Sequence, residues 1–147
     1  MLLRICLLYS LIALFLTACS DTAPTVGEAT DFTRVCEQAN EGKRLAVTGY
    51  IRLPDSFSGD SSVMLRLYET DNYRGTPIGV QTIFGTEANQ LEQVPYQYQD
   101  SDLKVHLSDG SVAEFGTPVK VSGKVYFPLV DQEFECGLEN PLVELAD

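Results

Sequence analysis

Apolar residues recur at every second position through most of the chain after residue 43, and this period of two most constrains the fold. In "RLAVTGYIRL", for example, Leu45, Val47 and Ile51 alternate with more polar residues. Successive side chains of a strand point to opposite faces, so this alternation predicts strands with one face on a core. The sequence therefore predicts a mainly β chain. The predicted strands lie in residues 44–53, 62–69, 77–84, 103–107, 118–127 and 134–145.

Glycine interrupts two of these apolar series, at Gly49 in "VTGYI" and at Gly123 in "VSGKV". Glycine inside a strand often marks a bulge or the tight bend at a barrel corner. The pattern therefore favours a small β-barrel. A β-sandwich of the immunoglobulin type is the alternative, but the chain has no tryptophan, and its cysteines are spaced too widely for the usual inter-sheet pair.

Long strands that bend at glycine, in this order, resemble the OB-fold of small bacterial envelope proteins. That group includes lipoproteins classed with the tRNA-anticodon-like OB proteins, whose function is uncharacterised. The resemblance covers residues 43–145 and implies one OB-like β-barrel domain over residues 31–147. A polar stretch at residues 87–102 departs from the simple pattern.

A short amphipathic helix is predicted just before the first long strand. The segment "DFTRVCEQAN" is followed by Gly42, which is a typical helix stop. Its apolar residues are spaced three or four positions apart, as on one helix face. They are Phe32, Val35, Cys36 and Ala39.

The N-terminus, residues 1–18, has the pattern of a signal peptide. Arg4 precedes the apolar run Ile5 to Leu16, which is shorter than the roughly 20 residues that a membrane-spanning helix needs. The run ends in Leu-Thr-Ala-Cys, which resembles the lipobox of bacterial lipoproteins. The resemblance implies cleavage before Cys19 and a lipid on its sulfur. An ordinary signal peptide with an incidental cysteine is the alternative.

Residues 19–30, which are small and polar after Cys19, are predicted to form a flexible lipidated tether. The domain would then work close to a membrane of the cell envelope. In the sorting rule of the lipoprotein family, a residue other than aspartate after the lipidated cysteine implies export to the outer membrane. Ser20 occupies that position, so the resemblance implies an outer-membrane location facing the periplasm if the source has two membranes.

In this interpretation the four cysteines have different roles. Cys6 leaves with the signal peptide and Cys19 carries the lipid, so Cys36 and Cys136 remain for each other. In an oxidising compartment such a pair is expected to form a disulfide. A crosslink that closes about 100 residues contributes up to about 4.7 kcal/mol in the chain-entropy model. Two free thiols are the alternative.

Charge and motifs exclude several functions. Removal of residues 1–18 removes Arg4 and no acid, which leaves nine basic against 21 acidic residues and a net charge of −12. Such a charge repels phosphate backbones, so no nucleic-acid partner is expected.

The aspartates at 55, 60, 100 and 102 lack the EF-hand spacing, so neither metal nor cofactor is predicted. His106, the only histidine, is expected to face solvent, and no catalytic residue is assigned.

Aromatic and arginine side chains are predicted on the outer face of the first two long strands. OB-folds bind ligands on the face of strands two and three and in the flanking loops. By resemblance, this face and its first loop form a candidate binding patch. An ordinary sheet surface is the alternative, because tyrosine favours strands and arginine guards against aggregation. The patch consists of Tyr50, Arg52, Phe57, Arg66 and Tyr68.

A second aromatic motif is "VPYQYQD". Tyr96 and Tyr98 alternate with glutamines, so they either line a carbohydrate groove or belong to a loop that packs one tyrosine on the barrel. The loop interpretation is preferred.

Together these features predict a lipid-anchored, non-enzymatic binding or assembly module of the cell envelope, with an envelope protein or a glycan as its partner. One alternative is an acidic inhibitor of a basic hydrolase such as lysozyme, acting through Asp55, Asp60 or Asp131. Another is a glycan hydrolase that uses clustered carboxylates.

Overall fold

The computed structural model describes residues 23–57, 61–130 and 133–147. The predicted signal peptide and Cys19 lie outside these residues, as do Asp60 and Asp131. The strands of the described residues alternate with loops and short turns. They are β1 (Glu28–Ala29), β2 (Arg44–Arg52), β3 (Ser62–Tyr68), β4 (Ile78–Ile83), β5 (Lys104–His106), β6 (Val112–Glu114), β7 (Pro118–Tyr126) and β8 (Gly137–Leu145).

Five of these strands close into a barrel in the order β2-β3-β4-β8-β7, and β7 pairs back onto β2. The β4–β8 pair is parallel, and the other pairs of the barrel are antiparallel. The prediction of a mainly β chain with a small barrel is confirmed, and the strand order is consistent with an OB-like barrel.

The apolar residues at every second position of the strands form the core of this barrel. Val47 on β2, Leu65 on β3 and Val121 on β7 are buried, while the residues between them are mostly exposed or half-buried. Two positions on and after β7 differ from the alternation. Ser122 is buried rather than outward, and Phe127 is only half-buried; the β7–β8 register shifts between Ser122 and Lys124.

Both strand glycines are required by close backbone contacts. A Cβ atom at Gly49 would overlap the carbonyl oxygen of Tyr68. At Gly123 it would lie 2.7 Å from the Cβ of Leu138, and Gly123 sits at the register shift in the β7–β8 pair. The β7–β8 pairing is therefore irregular at Gly123, where a bulge or a bend is predicted, and Gly49 allows β3 to approach β2 closely.

The long connection between β4 and β7 adds to the core. It contains the β5–β6 hairpin, which turns at Gly110 with φ of +85°. The polar stretch that precedes this hairpin is anchored by apolar residues, because Leu91 and Val94 are buried and Leu91 bridges Phe84 and Val105. This connection presents the loop that carries Tyr96.

The prediction of an N-terminal helix is wrong. The segment forms two separate 3₁₀ turns, Phe32–Arg34 and Gln38–Asn40. Glu37 between them has an extended backbone (φ −65°, ψ 132°), which ends the first turn and leaves Cys36 at the barrel. A segment this short does not sustain a helix without tertiary support. No helix in the described parts of the chain is long and apolar enough to span a bilayer.

The disulfide between Cys36 and Cys136 is present, as predicted, with a Cα–Cα distance of 5.4 Å. Cys136 is fully buried and directly precedes β8, whereas Cys36 follows the first 3₁₀ turn. The crosslink therefore joins the start of the domain to its last strand.

The described end of the expected tether is attached to the barrel. Glu28 and Ala29 pair in parallel with Leu45 and Ala46 of β2. The Arg44 guanidinium donates hydrogen bonds to the carbonyls of Thr25 and Asn140. Residues 25–30 are thus part of the folded domain, which differs from the expectation of a free tether through residue 30.

Candidate functional site

The pairing of β2 with β3 brings four candidate residues onto one outer face. Tyr50 lies opposite Tyr68 and Arg52 lies opposite Arg66. All four side chains are partly exposed. Residues directly opposite in an antiparallel pair have neighbouring side chains, so the register places Tyr50 beside Tyr68 and Arg52 beside Arg66 on this face.

Two aromatic residues from elsewhere in the chain extend this surface. The ring of Tyr73 lies 6.5 Å from Tyr50 and 5.7 Å from Tyr68, edge-on to both. It also stacks on Phe115, with ring centroids 4.8 Å apart and planes inclined by 15°. We call Tyr50, Tyr68, Tyr73 and Phe115 the tyrosine surface. No local pattern in the sequence points to Tyr73 or Phe115, because their contact joins distant segments.

Tyr73 is held in an unusual backbone conformation, with φ of +54°. Its N–H donates to the carbonyl of Thr70 at 3.1 Å, and its hydroxyl accepts from the N–H of Gly116 at 3.1 Å. The Asn72 side chain stabilises the turn by accepting from the N–H of Arg74. Burial raises the pKa of Tyr73. Positive φ is uncommon for a bulky residue, and such strain concentrates at functional sites.

Arg52 forms an ion pair with a carboxylate of the same protein. Its Nε donates to both carboxylate oxygens of Asp100, at 3.0 and 3.1 Å. This hydrogen bond raises the pKa of Arg52. Asp100 begins the 3₁₀ turn Asp100–Asp102, so the ion pair attaches that turn to β2. Arg52 therefore contributes structure to the patch rather than a free positive charge.

Arg66 lies in a cleft between the β2–β3 and β7–β8 loops. Its side chain is 14% exposed and forms an ion pair with Glu133. Its guanidinium carbon lies 5.8 Å from the centroid of the Phe134 ring, a distance compatible with a cation–π contact. The cleft has a volume of about 350 Å³. We call it the Arg66 cleft, and its lining includes Phe57, Met64, Arg66, Gln81, Glu133 and Phe134.

Phe57 does not join the tyrosine surface. Its ring packs 5.4 Å from Phe84 and 4.7 Å from Tyr98. The Tyr98 hydroxyl donates to the carbonyl of Pro54 at 2.7 Å, so Tyr98 packs on the barrel as the loop interpretation expects. Tyr96 is exposed. The predicted patch is therefore divided between the tyrosine surface, the Arg66 cleft and this separate aromatic cluster.

His106 is not the solvated side chain that the strand pattern predicts. It is half-buried, and its Nε2 lies 3.0 Å from Oε1 of Glu92. The contact arises because the Glu92 N–H donates to the carbonyl of Lys104, which folds the preceding segment onto β5. Within residues 23–57, 61–130 and 133–147, no three His, Cys, Asp or Glu side chains lie close enough to hold a metal ion.

No protein-family model matches this sequence, and a comparison with curated proteins finds no significant match. The functional interpretation therefore depends on the geometry of the surfaces described above.

Proposed function

We propose that this protein is a lipid-anchored, non-enzymatic binding or assembly module of the cell envelope, and that it contacts a protein partner through the tyrosine surface. The observation that carries the proposal is the convergence of four aromatic rings from separate segments on one outer face of the barrel. Such a cluster is unusual on a surface whose role is only to meet water, because ring burial against a partner is where aromatic side chains contribute most.

The chemistry of this surface suits a protein partner. Tyrosine offers a large, rigid apolar ring with a polar hydroxyl, which favours it at interface hot spots. The ring of Tyr73 contacts those of Tyr50 and Tyr68 edge-on, so little side-chain freedom remains to be lost on binding. Because Arg52 and Arg66 already pair with Asp100 and Glu133, the expected contact is mainly apolar and weakly sensitive to salt.

The lipid anchor is proposed from the Leu-Thr-Ala-Cys motif that ends at Cys19. Its test is membrane fractionation and mass spectrometry of the native protein beside Cys19→Ser. The native protein is expected in the membrane fraction, and in the outer-membrane fraction if the source has two membranes, with the added mass of the lipid. Cys19→Ser is expected to lack the lipid mass and to leave the membrane fraction. Equal fractionation of the two proteins would contradict the anchor while leaving the binding proposal open to its own test.

The binding proposal is tested by cross-linking in intact cells, followed by affinity purification of the full-length protein and mass spectrometry. The double variant Tyr50→Ala/Tyr68→Ala is expected to lose a specific protein partner. Tyr96→Ala is the control, because it removes a fully exposed tyrosine from another region. Arg66→Ala tests the cleft separately from the tyrosine surface.

Each outcome assigns a different role. Loss of the partner only in the double variant supports the proposal, whereas loss only in Arg66→Ala moves the site to the Arg66 cleft. Retention of the partner in both variants contradicts the proposal.

The inhibitor alternative instead predicts that the protein binds lysozyme. This binding should weaken as the salt concentration rises and in the variant Asp55→Asn. The hydrolase alternative predicts a bell-shaped pH dependence of glycan cleavage.

A further inference from the structure

A second cleft lies on the other side of Phe57, between the β2–β3 loop and the connection from β4 to β5. Its volume is about 650 Å³. None of its lining residues belongs to the tyrosine surface. We call it the aromatic cleft, and its lining includes Asp55, Phe57, Phe84, Gln93, Tyr96 and Tyr98.

The floor of the aromatic cleft is fixed to the barrel. Phe57, Phe84 and Tyr98 are partly buried and pack against the hydrophobic core. Phe57 contacts both of the other rings, and the Tyr98 hydroxyl is bonded to the carbonyl of Pro54. Burial raises the pKa of Tyr98, so the hydroxyl remains a neutral donor. The rings therefore form a preformed apolar floor.

Tyr96 forms the wall of this cleft and is 99% exposed. The residues two positions before and after it are both anchored, since Val94 is buried and Tyr98 packs on Phe57. The same connection is tied to the rest of the fold by the hydrogen bond from the Glu92 N–H to the carbonyl of Lys104 at 2.9 Å. An exposed ring is thus presented by a loop whose two sides are anchored, which reduces the ordering cost of binding a ligand.

We propose that the aromatic cleft binds a neutral oligosaccharide. The apolar faces of sugar rings pack on aromatic rings, as Tyr96 and the floor would allow, while polar groups fix the orientation of the ligand. The Gln93 amide and the Asp55 carboxylate supply such groups at the edge of the cleft. The strongly acidic chain and the carboxylate of Asp55 disfavour an anionic ligand. This site is independent of the proposed protein-binding surface.

The test is a titration of the full-length protein, in a detergent that carries no sugar, with chitotetraose, cellotetraose and maltotetraose. Intrinsic tyrosine fluorescence reports the result, because the chain has no tryptophan. At least one of the three sugars is expected to bind saturably. Tyr96→Ala should weaken that binding about tenfold, since it removes a stacking face. Tyr96→Phe retains the ring and should bind within about twofold of the native protein.

Lys124→Ala is the control, because it changes an exposed side chain on β7 that belongs to neither binding surface and should leave sugar binding unchanged. Circular dichroism establishes that each variant is folded. Absence of saturable binding by all three sugars would overturn the proposal, as would equal binding by native protein and Tyr96→Ala. Saturable binding of tetramethylammonium in place of the sugars would assign the cleft to a cation and overturn it as well. Loss of sugar binding in Tyr96→Ala together with retention of the protein partner would separate the two sites.

Discussion

Tyr50 lies directly opposite Tyr68 across the β2–β3 pair, and the ring of Tyr73 is edge-on to both. Strand pairing uses the backbone, so it does not require an aromatic residue at Tyr50 or Tyr68, whereas the hydroxyl of Tyr73 accepts from the N–H of Gly116. The contribution of these ring contacts to stability can therefore be measured by replacing the rings one at a time.

A double-mutant cycle on Tyr68 and Tyr73 measures the strength of their contact. We expect Tyr68→Ala and Tyr73→Ala to show a coupling free energy of about 0.5–1.5 kcal/mol, as edge-to-face pairs do. The measurement is urea denaturation of the two single variants and the double variant. The pair Tyr68 and Tyr96 is the control and should show no coupling, so equal coupling in both cycles would contradict the tyrosine surface.

Loss of the disulfide should destabilise the whole domain. The Cys36–Cys136 bridge closes a loop with a sequence separation of 100. We expect Cys36→Ala/Cys136→Ala to lower the free energy of unfolding by about 2–5 kcal/mol. Denaturation of the native protein with and without a reductant checks this value. An unchanged midpoint under reducing conditions would show that the bridge does not constrain the unfolded chain.

Asn89 is expected to be essential for the packing of the β4–β5 connection. Its Oδ1 accepts from the N–H of Val143 at 2.7 Å, and its carbonyl accepts from the hydroxyl of Thr82 at 2.6 Å. Its φ is +66°. Asn89→Ala should cost about 1–3 kcal/mol, because a partly buried N–H loses its acceptor. Asn89→Asp keeps the acceptor and is the matched control; an equal loss in both variants would contradict this role.

Stability should fall at alkaline pH. Burial raises the pKa values of Tyr73, Tyr98 and Tyr126 above the ordinary tyrosine value. As pH rises above about 10, the unfolded chain therefore loses these protons before the folded protein does. The tyrosines' contribution is fully present below that pH and is lost as pH rises through the folded pKa values. Urea denaturation between pH 9 and pH 12 checks the direction. Tyr126→Phe should reduce the slope, and an unchanged slope would contradict the assignment to Tyr126.

The parts of the fold that the sequence predicts are those with a local signal. Alternation identifies β2, β3 and β7, and glycine marks the close contacts at Gly49 and Gly123. The helix prediction failed because a spacing of three and four over four apolar residues is too short to distinguish a helix from two 3₁₀ turns. The sequence contains no pattern that predicts the pairing of Glu28 and Ala29 with β2, because a strand of two residues is too short to show a period.

The candidate site was predictable only where both partners lie on neighbouring strands. Tyr50, Arg52, Arg66 and Tyr68 follow from the alternation once two strands are paired. The contact between Tyr73 and Phe115 depends on how a turn and the β6–β7 loop meet in space, which no local pattern encodes. The internal partners of Arg52 and Arg66 also come from distant segments, and they change these arginines from free charges into structural pairs.

The most direct test of the tyrosine surface is site-specific photo-crosslinking in living cells. A benzophenone amino acid would be placed at position 68 in the full-length protein, and at position 124 as a control, because Lys124 is exposed on β7. We expect a discrete cross-linked protein adduct from position 68 and none from position 124. An adduct from position 124 alone, or no adduct from either, would contradict the claim that this surface binds a protein partner.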